Sequence, residues 1–256
     1  MDINELTKPL QLAYIGRNFD LLLEEAAHTR MSHADFMKGA LEKELDQRRE
    51  NRARRRVKEA RFPYRKYLVD LELDEYGDEV RAEIEELSYL SFIDGKENVV
   101  LVANPGRGKT HLAIGLGMAA CLADKKVLFT NVPNLVIELK EAMSRSAVSA
   151  FRKKFLKYDL VVIDELGYVS FDQEGCDILF NLISNRLESG SMVITTNLAF
   201  KEWGSVFKDP HLTGALVDRV ARRAHVLDMS GKSYRFKEAK DWLAGKGKSP
   251  EADAEW

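Results

Sequence analysis

The sequence predicts an α/β fold with a five-stranded parallel sheet, preceded by a small all-helical N-terminal domain. From residue 98 onward, short apolar segments alternate with longer segments whose apolar residues recur at helical spacing, which is typical of parallel strands joined by crossover helices. Residues 1–66 show the helical spacing alone. A Gly-rich turn between the first predicted strand and the next helix places a ligand site at the carboxyl end of the sheet. The predicted strands are 98–103, 126–130, 159–163, 192–196 and 224–228.

The composition is that of an ordinary globular protein. Of its 256 residues, 45% are hydrophobic and 31% are charged, and a formal net charge of −2 does not by itself indicate a nucleic-acid partner. Cys121 and Cys176 have neither metal-ligand spacing nor the pattern of a disulfide framework. We find no signal peptide and no apolar run of membrane-spanning length, and therefore expect a cytoplasmic protein without a membrane partner.

The N-terminal region is predicted to end in a long, strongly basic helix. Ser32, with Asp35 three residues later, is typical of a helix N-terminus, and Pro63 ends the helical pattern. Between residues 48 and 61 positive charges far outnumber negative ones. Such a run is either a solvated helix face or a surface that contacts the phosphate backbone of DNA, and we favour the second. The predicted DNA-contacting residues are Arg48, Arg49, Arg52, Arg55 and Arg56.

A phosphate-binding loop follows the first predicted strand. Its sequence departs from the pattern G-x-x-x-x-G-K-[ST] only at Ala103, which stands at the first Gly position. Backbone N–H groups of such a loop bind phosphate, Lys109 reaches the β- and γ-phosphates, and Thr110 ligates magnesium. The alternative is a Gly-rich turn that binds nothing. The predicted cofactors are ATP and Mg²⁺, and the predicted nucleotide-binding residues are Asn104, Pro105, Gly106, Arg107, Gly108, Lys109, Thr110 and His111.

Further candidate residues follow the third and fourth predicted strands. Asp164 comes directly after an apolar strand and is expected to hold Mg²⁺ together with Thr110, while Glu165 is expected to orient and polarise the attacking water. Asn197, after the fourth strand, is expected to hydrogen-bond that water or the γ-phosphate. A residue that only caps the next turn would give the same pattern at position 197.

A predicted helix over residues 212–224 carries several arginines. Because a guanidinium stays charged and forks onto phosphate oxygens, Arg219 is predicted as a catalytic finger that acts on the nucleotide of a neighbouring subunit. Arg222 is an alternative for that role. A surface helix with salt bridges would also account for this pattern.

Together these motifs resemble the IstB-like ATPases, the helper proteins of a bacterial insertion-sequence family and relatives of the DnaC and DnaI helicase loaders. The resemblance implies an AAA+ fold, ATP-dependent self-assembly on double-stranded DNA, and recruitment and stimulation of a transposase. With the patterns above, we expect a helical DNA- or partner-binding domain (1–66), an AAA+ ATPase domain (67–244) and, from its Gly, Lys, Ser and Pro content, a flexible tail (245–256). The segments that carry it are 104–113, 162–168, 194–197, 216–219 and 231–235.

Three functions remain compatible with the sequence. The first is an ATPase that assembles on duplex target DNA and recruits a transposase. The second is a replicative helicase loader of the DnaC/DnaI type, whose N-terminal region binds the helicase. The third is a nucleotide-binding protein whose basic helix is only solvated. The Arg-rich helix and the Ser-Tyr-Arg segment within 231–235 favour the first function.

Overall fold

The structure is a computed structural model that describes residues 2–168, 171–187 and 189–230. The predicted segment 231–235 and the predicted tail 245–256 lie outside these residues. The internal contacts divide the chain between Arg56 and Val57 into two compact units, which are described separately below. This division precedes the domain boundary that the sequence places at residue 66.

The N-terminal unit is helical. It contains α1 (Ile3–Thr7), α2 (Ala13–Thr29) and most of α3 (His33–Glu59). Its small core is formed by Ile15, Leu22 and Ala40. The predicted cap of α3 is confirmed, because the Asp35 N–H donates a hydrogen bond of 3.1 Å to the Ser32 hydroxyl.

The second unit is an α/β domain. Two short helices, α4 (Asp78–Ser88) and α5 (Ser91–Asp94), lead into the sheet. The elements that follow are β1 (Asn98–Val102), α6 (Lys109–Leu122), β2 (Val127–Asn131), α7 (Val132–Ser144), α8 (Val148–Phe155), β3 (Leu160–Leu166), α9 (Gln173–Leu187), β4 (Ser191–Thr196), α10 (Gly204–Phe207), α11 (Pro210–Ala221) and β5 (Ala224–Asp228).

The five strands form one parallel sheet, which confirms the prediction from the sequence, and their order is β2-β3-β4-β1-β5. Apolar cores cover both faces. Val99 and Leu101 of β1 belong to the core that contains Leu112 of α6, whereas Val100 belongs to the core on the other face. Because both faces of the central strands are buried, these strands are continuous apolar runs in the sequence.

Two elements end three residues away from their predicted boundaries. The third strand continues to Leu166, so Asp164 and Glu165 lie within β3 and not after it. The helix predicted over residues 212–224 ends at Ala221, because Ala224 already pairs with Asn98 as the first residue of β5. In the described part of the chain, no helix has both the length and the apolar character needed to cross a membrane.

Candidate nucleotide-binding site

The loop between β1 and α6 has the backbone of a phosphate cradle. Gly106 and Gly108 have φ angles of 82° and 78°, a region that glycine adopts without a steric penalty. A Cβ atom on Gly108 would lie 2.5 Å from the Tyr76 hydroxyl oxygen. Ala103 stays outside the left-handed region, and its N–H donates to the Thr196 carbonyl at 3.2 Å. The first Gly of the pattern is therefore not required here.

Lys109 and Thr110 are the first two residues of α6 and directly follow this loop. The buried Lys109 ammonium folds back and donates hydrogen bonds to the carbonyl oxygens of Ala103 (2.7 Å) and Asn104 (3.0 Å). The Thr110 hydroxyl donates to the Asp164 carboxylate, 3.1 Å from Oδ1 and 3.3 Å from Oδ2. The predicted partners Thr110 and Asp164 are thus in direct contact.

A bulge in β3 gives the two acidic residues different environments. The pairing of β3 with β4 shifts register between Ile163 and Leu166, and Glu165 has a φ angle of 65°. Asp164 is buried, whereas Glu165 is exposed and lines the cavity above the loop. Positive φ at a non-glycine residue is strained and persists only where the surrounding structure holds the backbone in place.

Thr195 of β4 completes this group and was not among the residues predicted from the sequence. The Thr195 hydroxyl donates to Asp164 Oδ1 at 2.5 Å and accepts a 3.0 Å hydrogen bond from the Glu165 N–H. The predicted Asn197 lies farther along the chain, where its buried Oδ1 faces Gly167 and has no hydrogen-bond partner among the described residues. A Thr within an apolar strand resembles an ordinary β-forming residue, so only the sheet register could reveal Thr195.

The segment before α4 forms another wall of the cavity. No residue of this segment was among the predicted site residues, and its tyrosines are the signal in the sequence that could have indicated it. Tyr67 accepts a 3.0 Å hydrogen bond from His111 Nε2 at its carbonyl oxygen, and Tyr76 donates one of 2.9 Å to the Arg107 carbonyl. The lining residues from this segment are Tyr64, Lys66, Asp70, Leu71, Glu72 and Tyr76.

Arg107 stabilises the loop from within the protein. Its buried guanidinium donates to the carbonyl oxygens of Met229 (3.0 Å) and Glu75 (3.4 Å) and lies over the Tyr76 ring, 5.6 Å from the centroid. The remaining predicted loop residues, Asn104, Pro105 and Gly106, stand between β1 and Arg107. The predicted finger Arg219 is exposed on α11.

The predicted DNA-contacting arginines belong to the N-terminal unit. At 100° per residue their positions on α3 span an arc of about 120°, so the five share one helix face. Arg48 donates to the Glu44 carboxylate at 3.0 Å and to the Gln11 carbonyl, and so connects elements of that unit. Arg52 and Arg55 are exposed. The five residues are Arg48, Arg49, Arg52, Arg55 and Arg56.

The oxygen donors at the loop suit a magnesium ion. Mg²⁺ prefers oxygen ligands and is held by one or two carboxylates together with substrate phosphates. Thr110 and Asp164 supply a hydroxyl and a carboxylate beside the phosphate cradle. The described residues contain no cluster of three or more His, Cys, Asp or Glu side chains that could hold a metal alone.

Comparison with known proteins identifies the family. The family model for IstB-like ATP binding proteins matches residues 5–241. The chain is 31% identical over 255 residues to the ATP-binding protein of insertion sequence IS21 from Pseudomonas aeruginosa, covering 99% of this chain and 96% of that protein. It is 33% identical over 229 residues to the IS232 ATP-binding protein of Bacillus thuringiensis subsp. berliner, covering 90% and 92% of the two chains.

Solved structures support the same fold. A crystal structure of DnaI superposes with a TM-score of 0.54 at 19% identity, covering 67% of this chain and 91% of DnaI. The DnaC helicase loader gives 0.51 at 17% identity, covering 70% and 99%. These likenesses, together with the sheet order and the loop, confirm the predicted AAA+ fold. The family model and the two insertion-sequence relatives show that the chain belongs to the family of IstB-like ATP-binding proteins.

Proposed function

We propose that this protein is an AAA+ ATPase that assembles on duplex DNA and recruits and stimulates a transposase. The observation that carries the ATPase part is that three of the predicted residues line one cavity and a fourth, Asp164, contacts one of them. Lys109 and Thr110 begin α6, and the Asp164 carboxylate accepts the Thr110 hydroxyl hydrogen bond. Glu165 lines the same cavity with an exposed carboxylate.

Each of these groups has a distinct role in hydrolysis. The loop N–H groups and Lys109 bind the phosphates, and Lys109 exchanges the carbonyls of Ala103 and Asn104 for phosphate oxygens. Thr110 and Asp164 would hold Mg²⁺, which neutralises charge on the β- and γ-phosphates. Glu165 orients water for attack on the γ-phosphorus and takes up its proton as ADP leaves. The role of Asn197 stays a prediction.

The DNA-binding part rests on charge at the α3 face. Arg52 and Arg55 are exposed there, and they share this face with Arg56. Guanidinium groups that neutralise phosphates release counterions, which favours backbone contact with little sequence preference. The transposase partner is proposed from the relatives, which are named as ATP-binding proteins of insertion sequences.

The proposal is tested by sedimentation and electron microscopy of the full chain with duplex DNA, with and without ATP. We expect ordered oligomers only when both are present. Lys109→Ala should abolish ATP binding and assembly, and Glu165→Gln should bind ATP, hydrolyse it slowly and stay assembled longer. Lys126→Ala removes an exposed lysine outside the cavity lining and serves as the matched control.

Two results would contradict parts of the proposal. Wild-type nucleotide affinity in Lys109→Ala would reject the assignment of the phosphate loop. Assembly on single-stranded DNA but not on duplex DNA would favour the helicase-loader alternative over the transposition helper.

A further inference from the structure

The Thr195 hydroxyl lies between the two acidic residues of β3. It donates to Asp164 Oδ1 at 2.5 Å and accepts from the Glu165 N–H at 3.0 Å, and the side chain is fully buried. An ionised carboxylate can only accept and an N–H can only donate, so these two partners fix the orientation of the hydroxyl. One side chain thus connects Asp164, which is proposed to hold Mg²⁺, with Glu165, which is proposed to orient the attacking water.

The contact to Glu165 compensates for the bulge. Between Ile163 and Leu166 the regular pairing of β3 with β4 is interrupted, so the N–H of Glu165 needs another acceptor. The Thr195 side chain provides it. This hydrogen bond holds the backbone in the positive-φ conformation that accompanies the exposed position of the Glu165 side chain.

The contact to Asp164 restricts the carboxylate from a second direction. Thr110 reaches Asp164 from α6, and Thr195 reaches it from β4. Two donors on different elements leave the carboxylate little rotational freedom. Groups that orient metal ligands in this way commonly alter metal affinity or activity by 10–100-fold when they are removed.

We propose that Thr195 is a positioning residue that sets the geometry of Asp164 and Glu165 together. This inference rests on the proposed roles of the two acids. It predicts that loss of the hydroxyl affects hydrolysis and the Mg²⁺ response, while nucleotide binding without Mg²⁺, which depends on the loop and Lys109, stays near the wild-type level.

The neighbouring Thr196 offers a matched control. It is also fully buried, and its hydroxyl donates to the Leu166 carbonyl at 2.8 Å and accepts from the Leu198 N–H at 3.0 Å. Thr195→Val and Thr196→Val therefore each remove one buried hydroxyl with two hydrogen bonds from the same strand. Thr195→Ser retains the hydroxyl and tests rescue.

Three measurements on the full chain test the role. Turnover in Thr195→Val should fall about 10–100-fold, and the gain in nucleotide affinity on adding Mg²⁺ should shrink by about tenfold. Amide hydrogen exchange at Glu165, measured without nucleotide, should accelerate by roughly 2–10-fold, because the N–H loses its acceptor. Thr195→Ser should restore the turnover, the Mg²⁺ response and the exchange rate to their wild-type values. Thermal unfolding of each variant gives its folded fraction, so that the variants are compared at equal amounts of folded protein.

The outcomes separate this inference from the proposed function. Equal losses of turnover in Thr195→Val and Thr196→Val, or unchanged Glu165 exchange in Thr195→Val, would reject the positioning role. Wild-type turnover in Thr195→Val but low turnover in Glu165→Gln would also reject it while leaving the assignment of the acids intact. Wild-type turnover in both would overturn the assignment of the acids and, with it, the role of Thr195.

Discussion

The Arg107 guanidinium donates a 3.0 Å hydrogen bond to the carbonyl oxygen of Met229 and so connects the phosphate loop to the chain after β5. The same side chain reaches the Glu75 carbonyl at 3.4 Å. Because the Arg107 guanidinium is buried, its loss would remove a hydrogen-bond donor from both carbonyls inside the protein. A residue predicted from the motif to bind nucleotide thus also determines how the loop is held.

We expect Arg107→Met to destabilise the protein by about 1–3 kcal/mol, because buried carbonyl oxygens lose their donor. Loss of this anchor should also weaken ATP binding by loosening the loop. Arg107→Lys retains the charge but not the fork of donors, so it should recover only part of the stability. Denaturant unfolding and fluorescent-nucleotide titration measure the two effects, and wild-type stability in Arg107→Met would contradict the anchoring role.

Glu44 stabilises the start of α2 from a distant position on α3. Its buried carboxylate accepts hydrogen bonds from the N–H groups of Tyr14 (2.8 Å) and Ile15 (3.1 Å). Burial alone would raise the pKa of Glu44, but the hydrogen bonds from Ile15, Arg48 and Tyr14 outweigh it and lower the pKa below the ordinary value of 4.5.

A lowered pKa in the folded state means that this stabilisation is complete above the unfolded pKa and is lost as pH falls through the folded pKa. Glu44→Gln should therefore accelerate amide exchange at Tyr14 and Ile15 at pH 7, by an amount equivalent to about 1–3 kcal/mol. The difference from wild type should shrink below pH 4.5. Glu42→Gln, at an exposed position on the same helix, is the control. A difference that does not change with pH would exclude a role for the carboxylate charge.

Arg219 is exposed on α11, as a residue that acts on a neighbouring subunit must be. Arg219→Ala should retain ATP binding but lower turnover by about 10³-fold, which is the lower range for arginine fingers. Mixing it with Lys109→Ala should restore part of the activity, because one subunit supplies the finger and the other supplies the nucleotide site. Rescue by Arg222→Ala in the same assay, and not by Arg219→Ala, would assign the finger to Arg222.

The sequence predicts those parts of the fold that depend on local pattern. Strand β1 is a continuous apolar run because both of its faces are buried, and the Gly-Lys-Thr turn at its end marks the phosphate loop. The site residues that were missed depend on contacts between distant segments. Thr195 meets Asp164 only through the β3–β4 pairing, and the bulge that exposes Glu165 has no local signal of its own.

Two further contacts could not be predicted from the sequence for the same reason. Tyr76 reaches the phosphate loop from a position 31 residues earlier, so its role depends on tertiary packing that no local periodicity encodes. Glu44 caps a helix that begins about 30 residues before it, and in the sequence it resembles one more acidic residue of a charged helix.

The surface that is proposed to contact DNA is one face of α3. At 100° per residue, Arg52, Arg55 and Arg56 lie within an arc of about 100°, whereas Arg54 lies about 150° from the middle of that arc. Phosphate contacts release counterions, and each lost contact should flatten the slope of log affinity against log salt by about 0.9.

Changing Arg52, Arg55 and Arg56 together to Ala should weaken duplex binding and flatten this slope by up to about 2.7 if all three contact phosphate, while ATP binding stays intact. The loss should be similar for two duplexes of unrelated sequence, because backbone contacts carry little sequence information. Fluorescence anisotropy at several salt concentrations, with ATP present, measures both quantities. Arg54→Ala is the control on the other side of the helix, with a smaller expected change per charge removed. An unchanged slope in the triple variant would assign this face to solvent or to a protein partner and would favour the helicase-loader function.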